Sequence, residues 1–336
     1  MRQNQRLIII IGLVISAFFL WVAFNDLSPA AVLDHIQQAN PALLALAAVW
    51  YFAAVTVISL RWRFLLLSTR AIPLRDLFQL VCIGYMGNNV YPLRAGEALR
   101  IVLLGRNHHV PIPRATTIVL TERIFDGLVM LTFIIVALGV FGVSSSETVR
   151  TVATFSAPLF LGALAVFFVL AARPEILRRL IRLVSGLLPG RLRDLVERLG
   201  EEVIAGLVGL RTPAHLAGII VCSYGSWMLE ASTYWIVARA FNLPVDYPTM
   251  LLVVGVVNLA GLIPASPGQF GVYEFFVIAV LTSVGILETT ATAYALVVHL
   301  VIWLPVTLVG FIFLARQGLG WGAIAHAREL EDKVTA

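Results

Sequence analysis

The sequence predicts an all-α protein, built as a polytopic bundle of transmembrane helices. Its mean hydropathy is +0.92, and only 13% of its 336 residues are charged, against about a quarter in soluble domains. Several continuous apolar runs approach the ~20 residues with which a helix crosses ~30 Å of hydrocarbon. A membrane β-barrel would show short segments of alternating polarity instead. We therefore predict an integral membrane protein made of helices.

Six apolar runs are long enough to cross a bilayer as single helices. In chain order they are 7–24, 41–60, 114–142, 151–172, 213–240 and 289–315. The first run follows Arg2 and Arg6, as in a signal peptide. It is longer than the apolar core of about 7–15 residues usual in such peptides. We predict that it is a retained first span.

Two further regions, 75–105 and 249–285, each contain two shorter apolar pieces that are broken by proline and glycine. At ~1.5 Å per residue, the piece 249–263 reaches only about 22 Å, too short for a comfortable crossing. Both regions are predicted to be re-entrant helical hairpins, which enter the membrane and turn back. The predicted tip residues are Pro92 and Gly96 in the first hairpin, and Pro264, Ser266, Pro267, Gly268 and Gly271 in the second.

The two hairpins belong to an internal repeat. Pro92-x-x-x-Gly96-Glu97 matches Pro264-x-x-x-Gly268-Gln269 at an offset of 172 residues, and full spans flank both copies in the same order. Three predicted crossings separate the copies, and three is odd, so the second copy is predicted to be inserted upside down. Inverted repeats with broken helices that meet near the midplane are typical of alternating-access transporters.

These elements form one predicted domain, 1–316. It comprises the first span, repeat one (41–142), the span 151–172, a connector (173–212) and repeat two (213–315), followed by a cytoplasmic tail, 317–336. The connector alternates apolar residues with Arg and Glu at helical spacing. We interpret it as two amphipathic helices on the inner leaflet, with a solvated connector as the open alternative.

Loop charges predict the orientation of the chain in the cell membrane. The loop 25–40 has no Lys or Arg, whereas 61–75 and 173–212 are rich in arginine. Basic loops lie on the cytoplasmic side, so both termini are predicted to be cytoplasmic. This pattern also accounts for the net charge of +5, and no nucleic-acid partner is predicted.

Charged residues around the tips indicate a polar site inside the membrane. A charge at bilayer depth costs at least about 2.5–3.5 kcal/mol, so it is retained mainly where it pairs or touches substrate. Arginine donates a planar fork of hydrogen bonds suited to phosphate. The candidate substrate-binding residues are Asn88, Arg94, Glu97, Arg100, Glu122, Arg123, Asp126, Asn258 and Glu274. The structural alternative is that Glu97 caps its helix and that Glu122, Arg123 and Asp126 only tie helices together.

The second tip has a recognisable local pattern. Ser266 can cap a helix that begins at Pro267, with Gln269 reaching back as in a capping box. His299, within the last span, is predicted to be a hydrogen-bonded packing residue, with a proton relay as the alternative. Cys82 and Cys222 are isolated in the sequence, so neither a cysteine metal site nor a disulfide is predicted. No cofactor is predicted either.

Three motifs carry a resemblance to a known family. They are Asn88…Pro92-x-Arg94-x-Gly96-Glu97-x-x-Arg100, Glu122-Arg123-x-x-Asp126 and Pro264-x-x-Pro267-Gly268-x-x-Gly271-x-x-Glu274. Over residues 7–316 the chain resembles the lysylphosphatidylglycerol synthase transmembrane-region family, also described as flippase-like proteins of the former uncharacterised family 0104. It departs from the family pattern at Gln269-Phe270, where relatives tend to have a second glycine and a small aliphatic residue.

The resemblance implies lipid translocation between leaflets, without catalytic residues or cofactors, and with membrane lipids as the partners. The substrate would be a phosphate-headed lipid, either a phospholipid or a polyprenyl-linked one. One alternative is a membrane-embedded transferase that acts on a lipid phosphate, with Glu97 or Asp126 as base. Another is a non-catalytic partner of a separate lipid- or glycan-synthesis enzyme.

Overall fold

Helices make up all the regular structure in the described part of the chain. The computed structural model describes residues 3–24, 28–67, 69–91, 95–143, 173–186, 189–207, 212–261 and 265–317, with residues 210 and 263 and isolated positions between 158 and 172. The α-helices are α1 Gln3–Phe24, α2 Pro29–Gln38, α3 Pro41–Leu66, α4 Leu74–Val90, α5 Ala95–His108, α6 Ile112–Ile135, α7 Pro174–Ser185, α8 Gly190–Leu207, α9 Pro213–Ala240, α10 Tyr247–Ala260, α11 Val272–Ser283 and α12 Glu288–Arg316.

The helices agree with most of the spans that the sequence predicts. Among the described residues, three are long and apolar enough to cross a membrane: α3, α12, and α6 together with the π-helical turn Val136–Val140 that extends it. The predicted run 213–240 is the 28-residue helix α9. Most of the predicted span 151–172 and nearly all of the tail 317–336 lie outside the described residues.

Two predicted boundaries were wrong. The segment 25–40, expected to be a loop, contains the ten-residue helix α2, which begins at a proline whose fixed φ suits a first helical turn. The first span of repeat one does not end at residue 60, because α3 continues to Leu66. Arg61 is therefore a helical residue and not part of a basic loop.

Local sequence explains where several helices begin. Asn40 caps α3, since its side-chain oxygen accepts the backbone N–H groups of Ala42 and Leu43 at 3.0 and 3.3 Å. Asp246 caps α10 in the same way through Thr249, at 3.0 Å. These contacts satisfy backbone donors that have no partner within the helix.

Six of the described helices form three closely packed pairs. α3 lies along α9, α4 packs on α12, and α6 packs on α10. The short helices α4 and α5 pack against each other, as do α10 and α11. One apolar core joins α9–α12 to the end of α6, and a second joins α3–α5 to the beginning of α6 and the end of α12. The four short helices thus pack against the long helices within these two cores.

The outer surface of the long helices is apolar. On α12, Leu300, Leu304, Leu308 and Ile312 are 53%, 38%, 53% and 51% exposed and recur every four residues along one face. Residues four apart lie one above the other on a helix. A continuous apolar stripe of this kind suits contact with lipid chains, while the polar residues described below face inward.

The connector contains two helices, as the sequence predicts. α7 and α8 pack together. Ile181 of α7 lies directly over Gly200 of α8, where an added Cβ would be 2.5 Å from the Ile181 Cδ1. α8 is held against α6 by an ion pair of 2.7 Å between Arg114 and Glu202. The leucines on the free face of α7 are exposed, with Leu183 at 70%. The amphipathic pattern is thus present, and its position on the inner leaflet stays a prediction.

Candidate functional site

A buried network of charges lies between α3 and α6. Arg61 on α3 is 1% exposed. Its guanidinium donates to Glu122 and to Asp126, each at 2.6 Å, and to the Ser223 hydroxyl at 3.2 Å. The indole N–H of Trp227 donates to the same Asp126 oxygen at 2.8 Å. Because Glu122 and Asp126 are four apart on one helix, both carboxylates reach a single arginine.

Two further arginines join this network. Arg100 on α5 is 4% exposed, lies 3.1 Å from Glu122 and stacks over the Trp62 ring at 4.9 Å. Arg123 lies 3.2 Å from Glu122, 3.4 Å from Asp126 and 3.6 Å from Glu97. The Arg123 side chain is 33% exposed, so it is the most accessible of the three arginines.

Glycines bring α5 close enough for Arg100 to reach the network. A side chain at Gly96 would collide with the carbonyl oxygen of Gly84 on α4 and lie 2.8 Å from the amide oxygen of Asn88. A side chain at Gly87 would lie 2.5 Å from the Gly96 Cα. The two backbones are therefore in direct contact, and only glycine fits at this crossing.

The second tip adopts a backbone that favours glycine. Gly268 and Gly271 have φ of +72° and +89°, and Gln269 has +61°. These angles lie in the left-handed region, which L side chains rarely adopt. Gln269 stands where the family pattern tends to have glycine, and its positive φ gives that preference a physical reason.

The predicted capping arrangement at this tip was wrong. Pro267–Gln269 form only a short 3₁₀ turn, and the Ser266 side chain makes no capping hydrogen bond. The next helix, α11, begins at Val272, and Glu274 accepts the backbone N–H of Gly271 at 2.6 Å. Glu274, and not Gln269, is therefore the residue that reaches back to satisfy the helix start.

Glu274 belongs to a second polar cluster, separate from the arginine network. It is 1% exposed, and its other oxygen lies 2.6 Å from Nδ1 of His299. The His299 ring stacks on Tyr273 at 4.1 Å and also contacts Phe270. His299 is thus hydrogen-bonded within a packed aromatic cluster, in agreement with the packing role predicted for it.

A cavity of about 420 Å³ separates the two clusters. Arg123 lines it on one side and His299 on another, and α3, α4, α9, α10 and α12 contribute to its wall. A side chain at Gly268 would lie 3.3 Å from the Asn89 carbonyl oxygen at the end of α4. The second tip thus contacts the helix that leads into the first tip, and the cavity opens beside this contact.

Apart from Gly96 and Gly271, described above, the predicted site residues fall into four groups. Asn88, Arg123, Asn258, Ser266, Pro267 and Gly268 line the cavity. Glu97, Arg100, Glu122 and Asp126 pair with one another or with Arg123 in the network behind that wall, while Glu274 pairs with His299. Pro92, Arg94 and Pro264 lie outside the described residues.

Several polar residues of the site escaped the sequence-based prediction. Arg61 was assigned to a basic loop, although it shares a helical face with Ala54, Ile58 and Leu65, all of them buried. That spacing was a usable signal, since residues three or four apart share a face. Tyr51 and Tyr85 also line the cavity. They lie on different helices, and no local pattern in the sequence connects them.

An apolar outer surface, buried ion pairs and a central polar cavity define a polytopic helical membrane protein with an internal polar site. The family model for the lysylphosphatidylglycerol synthase transmembrane region matches residues 9–310. The chain belongs to this family.

Curated relatives cover nearly the whole chain. Glycosyltransferase AglD of Haloferax volcanii is 26% identical over an alignment 352 positions long, gaps included, which covers 92% of this chain and 54% of the relative. The chain thus spans about half the length of that relative. Two UPF0104 membrane proteins of Methanothermobacter thermautotrophicus are 24% and 23% identical and cover 90% and 92% of this chain. The alignments cover 90% and 94% of the lengths of these two relatives.

Proposed function

We propose that this protein moves a phosphate-headed lipid between the leaflets of the cell membrane, without covalent chemistry. The observation that carries the proposal is the cavity between the helices, where the partly exposed Arg123 contributes its guanidinium to a wall of mainly aromatic, amide and aliphatic residues. A lipid headgroup needs such a polar path, whereas its chains can stay in the bilayer. The substrate class, a phospholipid or a polyprenyl-linked lipid, follows the family resemblance.

Arg123 is the proposed phosphate-binding residue. Its planar fork of N–H donors suits two phosphate oxygens. Arg61 and Arg100 would not bind the headgroup directly, because both are at least 96% buried and paired with carboxylates. They would instead hold Glu122 in place, and Glu122 would orient Arg123. Glu97 and Asp126 balance the Arg123 charge when no lipid is bound.

The proposed mechanism uses two inverted repeats, α3–α6 and α9–α12. Helix packing supports a twofold relation, because α3 contacts its counterpart α9, and the contact of α4 with α12 has its equivalent in that of α10 with α6. The cavity lies where the two repeats meet. Rocking of one repeat against the other would expose it to each side in turn. No nucleotide-binding loop occurs in the sequence, so a gradient, or none, would supply the energy.

Cysteine labelling would test the inversion and the orientation. With the ends of the first hairpin in the cytoplasm and those of the second outside, Asn107→Cys should react with a membrane-impermeant maleimide only from the cytoplasmic side. Leu287→Cys, which is 72% exposed before α12, should react only from outside. The native Cys82 and Cys222 are buried, so the unsubstituted protein gives the background. Labelling of both sites from one side would rule out the inverted arrangement.

The central experiment measures lipid movement in liposomes that contain the purified protein and a fluorescent phospholipid. We expect Arg123→Gln to slow leaflet exchange roughly 10- to 100-fold, because a hydrogen bond to a charged group contributes about 1.5–3 kcal/mol. Arg123→Lys should be intermediate, since lysine keeps the charge but not the fork. The readout is the fraction of label that dithionite bleaches with time.

Arg316→Gln serves as the matched control, because it removes an exposed arginine at the end of α12, away from the cavity. It should leave the exchange rate unchanged. Circular dichroism and gel filtration would show that each variant is folded. Equal rates for the wild-type protein and Arg123→Gln would contradict the site assignment.

A second candidate function is a non-catalytic partnership with a glycan-synthesis enzyme. It is favoured by the similarity to a protein named as a glycosyltransferase, of which this chain matches 54%. That candidate predicts stoichiometric co-purification with an enzyme and no lipid movement by the chain alone. The transferase alternative predicts a covalent product in detergent, where no leaflets exist.

A further inference from the structure

Glu230 is a buried carboxylate that lines the cavity without a protein partner. It lies near the middle of α9 and is 6% exposed. No hydrogen bond or ion pair joins its carboxyl group, which lines the cavity, to another described residue. An unpaired polar group in such an enclosed place is costly unless something supplies the missing partner. Glu230 therefore indicates a ligand contact that the arginine network does not explain.

The arginine network has no cation to spare for Glu230. Among the described residues, its three arginines, Arg61, Arg100 and Arg123, face three carboxylates, Glu97, Glu122 and Asp126. Glu230 adds a fourth carboxylate, and its electrostatic interaction with Asp126 is repulsive. Among the described residues no cation pairs with Glu230, and the cavity that it lines is where a partner can reach it.

Two tyrosines complete the surroundings of this carboxylate. Tyr51 on α3 and Tyr85 on α4 line the same cavity as Glu230. Neither hydroxyl makes a hydrogen bond to a described residue, whereas Tyr234 and Tyr273 are bonded to each other at 2.7 Å. Three helices thus contribute to the wall of one cavity polar groups that have no hydrogen-bond partner among the described residues.

The chemistry of these groups defines what they can bind. The carboxyl group of Glu230 can accept hydrogen bonds, and a tyrosine hydroxyl can accept one while it donates another. We propose that Glu230, Tyr51 and Tyr85 form a second subsite, which binds a hydrogen-bond-donating group of the lipid headgroup, beyond the phosphate. This inference rests on the proposed function, because it places the phosphate of the same lipid at Arg123.

The donor on the headgroup is either a hydroxyl or an ammonium group. Either group can donate to the carboxyl and hydroxyl oxygens of the subsite. In both cases we expect headgroups without a hydrogen-bond donor to bind more weakly. A site built to hydrogen-bond a ligand group rejects analogues that lack it, because its own polar groups are then left unpaired. The subsite therefore gives the cavity selectivity as well as affinity.

Binding of short-chain lipids to the full chain in detergent tests this subsite. The probes are dihexanoyl phosphatidylglycerol, phosphatidylethanolamine, phosphatidylcholine and phosphatidic acid, and isothermal titration gives the affinities. We expect the glycerol or the ethanolamine lipid to bind at least about tenfold more tightly than choline lipid and phosphatidic acid. Glu230→Leu should remove that preference. Glu230→Gln, which keeps an acceptor but no charge, should retain it for a hydroxyl and lose it for an ammonium group.

Matched controls separate a loss of the subsite from a loss of the fold. The double variant Tyr51→Phe/Tyr85→Phe removes only two hydroxyls and should weaken the preference even if Glu230→Leu does not fold. Tyr247→Phe and Glu288→Gln alter residues away from the cavity and should keep the preference. Equal affinity for all four lipids, or a preference unchanged by Glu230→Leu and by the double tyrosine variant, would overturn the subsite.

The readout also separates this inference from the proposed function. Selective binding without lipid movement in liposomes would contradict translocation and leave the subsite standing. Translocation that depends on Arg123 but shows no headgroup preference would contradict the subsite and support the proposed function.

Discussion

Replacing Arg61 with methionine should destabilise the protein by about 3–5 kcal/mol, because it removes the cation shared by two buried carboxylates. Glu122 and Asp126 each lie 2.6 Å from Arg61, and Glu122 is 1% exposed. Arg100 and Arg123 would still contact Glu122, at 3.1 and 3.2 Å, and they would limit the loss. Denaturant unfolding in mild detergent, followed by tryptophan fluorescence, would measure the free energy of unfolding.

Arg63→Met is the matched control for this substitution. Arg63 lies two residues further along the same helix, is exposed and does not share the buried face of Arg61. Its replacement should change the free energy of unfolding by less than about 0.5 kcal/mol, as for most surface substitutions. A similar small effect for Arg61→Met would mean that the ion-pair network contributes little to the fold.

Gly96→Ala should destabilise the protein by about 3 kcal/mol, the upper part of the range for overpacking. The new methyl group would overlap the Gly84 carbonyl oxygen and press on Asn88. Since α4 and α5 would have to separate, Arg100 would also lose its position beside Glu122. Helix propensity alone would make this substitution stabilising, because it favours alanine over glycine by about 1 kcal/mol. A decrease in the free energy of unfolding would therefore be due to the steric overlap.

Gly105→Ala provides the comparison on the same helix. The nearest atom to a side chain there is the Val110 carbonyl oxygen, at 3.4 Å, an ordinary contact distance. Alanine should therefore be neutral or stabilise the protein by up to about 1 kcal/mol. Thermal unfolding of both variants in one detergent would show whether the close approach of α4 and α5, and not glycine itself, explains the difference.

Much of the fold could be predicted because hydropathy acts locally. The helices at 41–66, 112–135, 213–240 and 288–316 each contain most of a predicted apolar run, since a segment of ~20 apolar residues has few stable alternatives in lipid. The short pairs α4–α5 and α10–α11 were predicted from proline and glycine between short apolar pieces. Their re-entry into the bilayer stays a prediction.

Part of the site could also be predicted. Glu122, Arg123 and Asp126 were predicted to belong to a substrate-binding site, with a network that only ties helices together as the alternative, because charges in apolar surroundings are retained where they pair or touch substrate. The partner that joins the network from α3, Arg61, was missed. A basic residue at the end of an apolar run has two interpretations, a cytoplasmic loop or a buried helix face. Only the length of α3 decides between them.

By itself, the sequence determined that this chain is a helical membrane protein, where most of its long helices lie and which charges are surrounded by apolar residues. These properties depend on composition and on neighbours within a few residues, so they are readable in order along the chain. The tertiary structure decided which polar groups meet. It pairs Arg61 with Glu122 and Asp126 and His299 with Glu274, and it brings Tyr51, Tyr85 and Glu230 to the wall of one cavity. Such pairings are set by the crossing of helices distant in sequence, and backbone contacts such as that of Gly96 with Gly84 fix how closely those helices approach.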